Sequence, residues 1–391
     1  MVSSFSVSLV TETYLPEVNG VAMTLGHLAT GLSARGHRLM IVRPRQKHEK
    51  VGRLAADQLL TPGIPLPGYG ELRFGLPARR TLQQLWTDEP PDVVHIATEG
   101  PLGLSALAAA RALDIPVISS FHTNFHAYCQ HYGIGWMHGG IERYLRWFHN
   151  RTQATLVPTT ALAADLTRQD FCNIGVLSRG VDMGHFNPAR RSAALRASWG
   201  ASDADPVILV VGRIAAEKNL ALAIRAFSAI RALKPQALMI FVGDGPRRHA
   251  LACKHPECRF VGVRHGDELA RHYASADLLL FPSLTETFGN VVSEALASGL
   301  PTIAFDYAAA GNLIKNHVNG LKVPPGDDAA FITAAVQLAS MPERLTAMRT
   351  ACPASVGGLD WENIHDSFEK LIDEIVTRHD QAPPAPHFSL W

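Results

Sequence analysis

Apolar residues fall along the chain in two alternating patterns. Short continuous runs at 5–10, 38–42, 92–96, 115–120, 154–158 and 173–177 have the length and β-branched content of buried strands. Between most of them apolar residues recur every three or four positions, at 20–34, 78–87, 101–113, 137–151 and 159–170, which predicts helices. The alternation restarts at 207. Strands are expected at 207–211, 237–242, 259–261, 277–281 and 301–305, and helices at roughly 218–233, 245–253, 267–275, 290–298 and 327–340. Strands alternating with helices imply a parallel sheet covered on both faces. The pattern therefore reads as α/β, with two Rossmann-like, doubly wound domains over 1–185 and 205–355. Such domains face across a cleft, and ligands bind beyond the carboxyl ends of the strands. The stretch 183–206, with Pro188, Gly200, Ser202 and Pro206, reads as a linker. A further helical spacing at Trp361, Ile364, Phe368, Leu371 and Ile375 fits either domain on sequence alone. The Pro-rich end, 381–391, is expected to be disordered.

Composition narrows the function classes. With 47% hydrophobic and 18% charged residues in 391, intrinsic disorder is excluded for most of the chain. A formal charge of +1 lacks the basic footprint of a nucleic-acid binder. No run approaches the ~20 apolar residues of a membrane span. The opening MVSSFSVSLV reads as a first strand and not as a signal peptide, and five scattered cysteines suit a reducing cytosol. Charge is uneven, however. Residues 1–190 carry 17 basic and 14 acidic side chains, and the remainder carries 19 and 21. Arg35, Arg38, Arg43, Arg45, Lys47, Lys50 and Arg53 cluster within 35–53, opposed there only by Glu49. That cluster reads either as a solvated loop or as a patch for anionic lipid headgroups at the inner face of the membrane.

Three segments carry candidate chemistry. After the first strand, TETYLPEVNGV leads into a helix at Gly20, where a missing side chain lets backbone N–H groups approach an anion; a plain turn glycine is the alternative. The surrounding residues do not form the GxGxxG of a dinucleotide site. After 207–211 comes GRIAAEKN, which sets Arg213 and Lys218 beyond a strand end, one a fork and the other a point charge for a diphosphate. The third segment is FPSLTETFGNVVSEALASGLPTIAF. Glu286 lies in a loop there, Phe288 and Gly289 lead into a helix, and Glu294 stands among Val291, Val292, Ala295 and Leu296. A carboxylate buried among apolar residues needs donors, which ribose hydroxyls would supply. His126, His131 and His138 are irregularly spaced, Cys253 and Cys258 around His255 lack a fourth ligand, and no DxD candidate occurs, so no metal is expected.

LPEVNGV, FHTNF, SRGVD, GRIAAEKN, FVGDGPRR and ETFGNVVSEALASGLP together resemble the retaining family 4 glycosyltransferases of GT-B fold, over nearly the whole chain. FHTNFHAYCQHYGIGW and PLPGYGELRFGLP further resemble a bacterial branch holding lipid α-mannosyltransferases and sulfoquinovosyltransferase-like enzymes. The resemblance implies a nucleotide-sugar donor, GDP-mannose by preference with UDP-sugars close behind, and a lipid or glycan acceptor. It implies that His122, Arg213, Lys218 and Glu286 are catalytic. It sets Gly20 beside the diphosphate, Phe288, Gly289, Asn290 and Val291 at the donor, Glu294 on the ribose and Val263 near the base. It also implies no cofactor, acceptor-side roles for Tyr69 and Arg73, and a terminal helix, 361–380, that returns to the first domain. Arg143, Trp147 and Arg151 share a face of the helix at 137–151, as an interfacial helix or as snorkelling arginines around a half-buried Trp. Competing classes are a sugar-nucleotide epimerase, which needs no acceptor, a phosphorylase, which needs a pyridoxal-phosphate lysine, and a sugar-binding protein.

Overall fold

The computed structural model describes residues 4–381 apart from 18, 56, 67–68 and 123–137. The chain divides into two compact units, one built from residues up to 122 with 138–178 and 361 onward, the other from 179–360.

The first unit holds β1 (Ser6–Val10), β2 (Arg38–Pro44), β3 (Gly52–Ala55), β4 (Gln58–Thr61), β5 (Gly63–Leu66), β6 (Tyr69–Gly75), β7 (Val93–Ile96), β8 (Val117–Ser120), β9 (Ala154–Val157) and β10 (Ile174–Val176). Its main sheet runs β10-β9-β8-β7-β1-β2-β4-β3, parallel except for the antiparallel pair β3–β4. Strands β7, β8 and β9 are buried at every residue, as expected of parallel strands covered on both faces. The sequence pattern does not reveal β3 to β6. Strands β3, β4 and β5 have only four residues each, and β3, β5 and β6 contain Gly or Pro, the residues that mask a strand signal. Strands β5 and β6 form a separate antiparallel hairpin from the segment that holds Tyr69 and Arg73, the residues expected on the acceptor side.

The C-terminal helix Trp361–Gln381 belongs to this unit. Phe368, Ile372 and Ile375 join Val7, Leu9, Leu25 and Leu28 in one core. It packs against the helix Gly20–Ala34 so closely that a Cβ on Gly31 would lie 1.9 Å from the His365 ring. Trp361 stacks on His27 at 4.8 Å between centroids, and Arg35 pairs with Glu362, Asp366 and Glu369.

That last contact corrects the reading of the basic cluster at 35–53. Arg35 is neutralised by acids more than 300 residues away in sequence. Arg43 is buried and gives both terminal nitrogens to Glu49, at 2.8 and 2.7 Å. Lys47 and Lys50 remain exposed, and the side chain of Arg53 lies outside the described residues.

The second unit holds β11 (Val207–Val211), β12 (Leu238–Val242), β13 (Arg259–Gly262), β14 (Leu278–Phe281), β15 (Thr302–Phe305) and β16 (Gly320–Val323). They form one all-parallel sheet in the order β13-β12-β11-β14-β15-β16. The edge strand β16 is a further one that the pattern does not reveal. Residues 183–206 are not a linker. Trp199 is part of the core, and Arg196 is fully buried, binding the Ser202 and Asp205 carbonyls at 2.8 Å each. Arg196 also reaches the Ser275 carbonyl and Asp277, while Arg349 reaches the Ala274 and Ala276 carbonyls. Cationic side chains thus satisfy the carbonyl end of the helix Gly266–Ser275, the end its dipole makes negative. The turn residues that suggested a linker are held by buried arginine bonds, which local composition does not report.

Candidate active site

In the second sheet β11 lies between β12 and β14, so the strand order reverses there. The carboxyl ends of strands at such a switch point form a crevice. Two loops shape it. Gly243 has φ +140°, and a Cβ there would lie 1.9 Å from the Gly212 carbonyl oxygen. Only glycine allows this approach, which lets Ile214 N donate to the Asp244 carbonyl at 2.8 Å and Arg247 N to the Ile214 carbonyl at 3.1 Å. The loops after β11 and β12 are thereby locked together. A shallow recess opens beside them, lined among others by Arg213, Lys218, Phe281, Pro282 and Ser283.

Lys218 sits in a 3-10 turn and donates Nζ to Glu286 Oε1; the side chains are 22% and 14% exposed. Glu286 N donates to Tyr307 Oη at 3.2 Å, and Tyr307 Oη donates to the Ser283 carbonyl at 2.7 Å. The loop carrying Glu286 is therefore clamped at its backbone. Burial and the Glu286 charge together push the Tyr307 hydroxyl far up, so it stays a donor. Arg213 lies in the same recess, with Nη1 3.6 Å from Glu217.

The helix Asn290–Ala297 begins at Gly289, whose φ of +91° favours glycine and where a Cβ would lie 3.4 Å from the Phe281 ring. No side chain caps this start. Phe288 is buried and its carbonyl accepts from Ala309 N at 2.8 Å. Asn290 Oδ1 is buried without a partner among the described residues, and Val291 packs on the core. The start of the helix Gly20–Ala34 differs. Asn19 Oδ1 accepts from Val21 N at 3.1 Å and Ala22 N at 2.9 Å. The opening at Gly20 inferred from sequence is thus already capped by the chain itself, with Thr13 and Glu17 holding Asn19 in place.

Glu294 accepts a 2.7 Å hydrogen bond from Tyr273 Oη; Tyr273 is fully buried and Glu294 half-buried. Burial raises the Glu294 carboxyl, while Tyr273 and the His185 charge pull it back. Val263, just past β13, is 45% exposed, and its carbonyl accepts from Arg264 at 3.3 Å.

His122 and the buried Phe121 follow β8 at the carboxyl end of the first sheet; residues 123–125 of FHTNF, with His126 and His131, lie outside the described residues, as do the side chains of Tyr69 and His138. Arg73 donates to the Gly63 carbonyl across the β5–β6 hairpin at 3.3 Å. On the helix His138–His149, Trp147 is 42% exposed, and the following Arg151 stacks its guanidinium 4.4 Å from the Trp147 ring centroid. Cys253, Cys258 and His255 do not gather with other ligands into a metal-binding group among the described residues. No helix there is long and apolar enough to cross a membrane.

Sequence reasoning missed Tyr273, Tyr307 and a carboxylate pair in the first unit. Glu12 and Glu99 follow β1 and β7, neighbours where the first sheet also reverses its order. Glu12 Oε1 accepts from Leu102 N at 3.1 Å, and Glu99 Oε1 lies 3.1 Å from His149 Nε2. Burial first, then the Glu99 charge, raise the Glu12 carboxyl from 4.5 to about 7. Nothing in a lone Glu after a strand distinguishes it from a surface acid.

Two doubly wound, mainly parallel sheets are the architecture of the GT-B glycosyltransferases. Residues 18–185 match the family described as Glycosyltransferase Family 4, and residues 205–341 match Glycosyl transferases group 1. A GDP-mannose-dependent alpha-mannosyltransferase of Corynebacterium glutamicum is 31% identical over 377 residues, 95% of this chain and 88% of the relative. An alpha-monoglucosyldiacylglycerol synthase of Streptococcus pneumoniae is 28% identical, covering 80% of this chain and 74% of that one. The solved sucrose-phosphate synthase of Thermosynechococcus elongatus superposes with a TM-score of 0.78 at 17% identity, over 96% of this chain and all of the other, a likeness of fold. The chain belongs to the family 4 glycosyltransferases.

Proposed function

We propose that this glycosyltransferase moves mannose from GDP-mannose to a lipid or glycan acceptor, with retention of anomeric configuration and without a metal. The observation that carries the proposal is the Lys218–Glu286 pair beside Arg213 in the recess after β11 and β14. When a nucleoside diphosphate departs, negative charge grows on the β-phosphate. Arg213 and Lys218 supply the compensating charge that a divalent ion supplies elsewhere. Lys218 then exchanges Glu286 for the diphosphate, and the released carboxylate accepts hydroxyls of the transferring sugar. The uncapped start of the helix Asn290–Ala297 offers N–H groups to the same ligand. Glu294, with Tyr273 on one oxygen, keeps acceptor capacity for ribose hydroxyls. His122 keeps the sugar-contacting role that the family resemblance implies. No covalent role is given to Glu286. Retention is assigned to a front-face, oxocarbenium-like departure, unlike the carboxylate pair of retaining hydrolases.

The mannosyltransferase relative supports GDP-mannose. The diacylglycerol-glucosylating relative supports a second reading, a UDP-sugar enzyme that makes a glycolipid. A thermal-shift panel of GDP, UDP, ADP and their sugars separates the two, because a ligand at 100 times its Kd adds ~2.7 kcal/mol. GDP and GDP-mannose are expected to give the largest shifts. Lys218→Ala and Glu286→Ala are each expected to lower transfer by ~100-fold or more. Undiminished transfer in both variants would remove the site assignment. Turnover of the nucleotide sugar without any acceptor would favour an epimerase.

A further inference from the structure

Arg179, the first residue of the second unit, stands in the SRGVD segment and has no role in the site described above. It is 6% exposed. Its guanidinium carbon lies 5.9 Å from the ring centroid of Phe288, itself 2% exposed. Nε and Nη2 are both buried and meet no hydrogen-bond partner among the described residues. These two nitrogens share one edge of the guanidinium, so their N–H bonds run parallel and form a fork. Burial lowers the group to about 10, and the charge of Glu286 opposes that drop. Arg179 therefore remains a cation at neutral pH.

A buried cation with an idle fork is costly to fold. It is not an isolated lapse. Ser283 Oγ and Asn290 Oδ1 are also buried without partners, and they bracket the loop that carries Glu286 and Phe288. Three unfilled polar groups around one loop indicate a ligand that completes them. Arg179 does not line the recess of Arg213 and Lys218, where the diphosphate is assigned. It lies at Phe288, on the side assigned to the sugar.

We propose that Arg179 is a donor-binding residue whose Nε–Nη2 edge grips two oxygens of the transferring hexose. A fork fits oxygens on adjacent carbons of the sugar ring, and it fixes the hexose against Glu286 from the Phe288 side. The proposal rests on the reading of this site as a nucleotide-sugar site.

The test uses the full chain and the variants Arg179→Met and Arg179→Lys. Binding is measured for whichever of GDP-mannose and UDP-glucose the wild type holds more tightly, and for the matching nucleoside diphosphate. The ligand-free Tm of Arg179→Met is expected to equal or exceed that of the wild type, because an uncompensated buried charge is removed. Affinity for the nucleoside diphosphate is expected to stay unchanged, while affinity for the nucleotide sugar falls about tenfold or more. Arg179→Lys, with charge but no fork, should not restore it. A lower ligand-free Tm with both affinities intact would make Arg179 structural and overturn the proposal. An equal loss for both ligands would place the fork on phosphate and overturn it as well. A wild type that binds neither nucleotide sugar would remove the underlying reading of the site, and this proposal with it.

Discussion

Glu12 shows how one buried group sets a measurable property of the protein. Its carboxyl titrates at about 7 in the native state against an ordinary 4.5. Between those values the native state binds the proton that the unfolded chain has lost, so stability falls as pH rises from about 4.5 to about 7. The contribution is up to ~3 kcal/mol, from 1.36 kcal/mol per pH unit. Glu12→Gln is expected to flatten that part of the stability profile, read as urea midpoints from pH 4.5 to 7.5; an unchanged slope would count against the burial of Glu12. The sequence could not announce this residue. The shift is raised by burial and by the Glu99 charge and opposed by the Leu102 and Gly75 backbone N–H groups, all of which arrive from distant segments. Arg213, Lys218, Glu286 and Glu294 were legible because each lies at a fixed offset from a strand end or a helix start. Tyr307 and Tyr273, which hold two of them, come from elsewhere in the chain and carry no such offset.

At the scale of elements, the C-terminal helix illustrates what a pattern can and cannot specify. Its apolar spacing fixes which face is buried, and Trp361, Phe368 and Ile375 all lie on that face. Its partner is fixed by shape and charge: Gly31 admits His365, and Arg35 gathers three carboxylates. Gly31→Ala forces a Cβ into the His365 ring and is expected to destabilise by roughly 1–3 kcal/mol. Adding His365→Ala should recover part of the loss, because the obstructing ring is gone. Denaturation midpoints of the single and double variants check this, and simple additivity would argue against the contact. The alternation of strands and helices was legible for the central strands, whose runs are wholly apolar. Strands β3 to β6 and β16 were not, most of them being only four residues long, and residues 183–206 looked like a linker because their anchors, Asp277 and the carbonyls at 274–276, lie some 80 residues on.

For the whole molecule, charge must be read by placement. The cluster at 35–53 is partly internal, since Arg35 and Arg43 are paired, so reversing them would test folding and not a surface. Arg38, Lys47 and Lys50 are exposed within that cluster, and on the helix His138–His149 and just beyond it Arg143 and Arg151 flank Trp147. If the enzyme meets an anionic membrane, Arg143→Glu with Arg151→Glu should reduce salt-sensitive partitioning onto phosphatidylglycerol vesicles and leave Tm unchanged. Partitioning equal to that of the wild type would exclude that face. One proposal is central: the recess of Arg213 and Lys218 handles the leaving diphosphate with protein charge alone. Single-turnover transfer of labelled mannose from GDP-mannose in excess EDTA, to a lipid extract as acceptor, tests it most directly. The account predicts full wild-type transfer under chelation and a drop of ~100-fold or more in Lys218→Ala. Transfer that vanishes with EDTA and returns with Mg²⁺, or that is indifferent to Lys218→Ala, would contradict it.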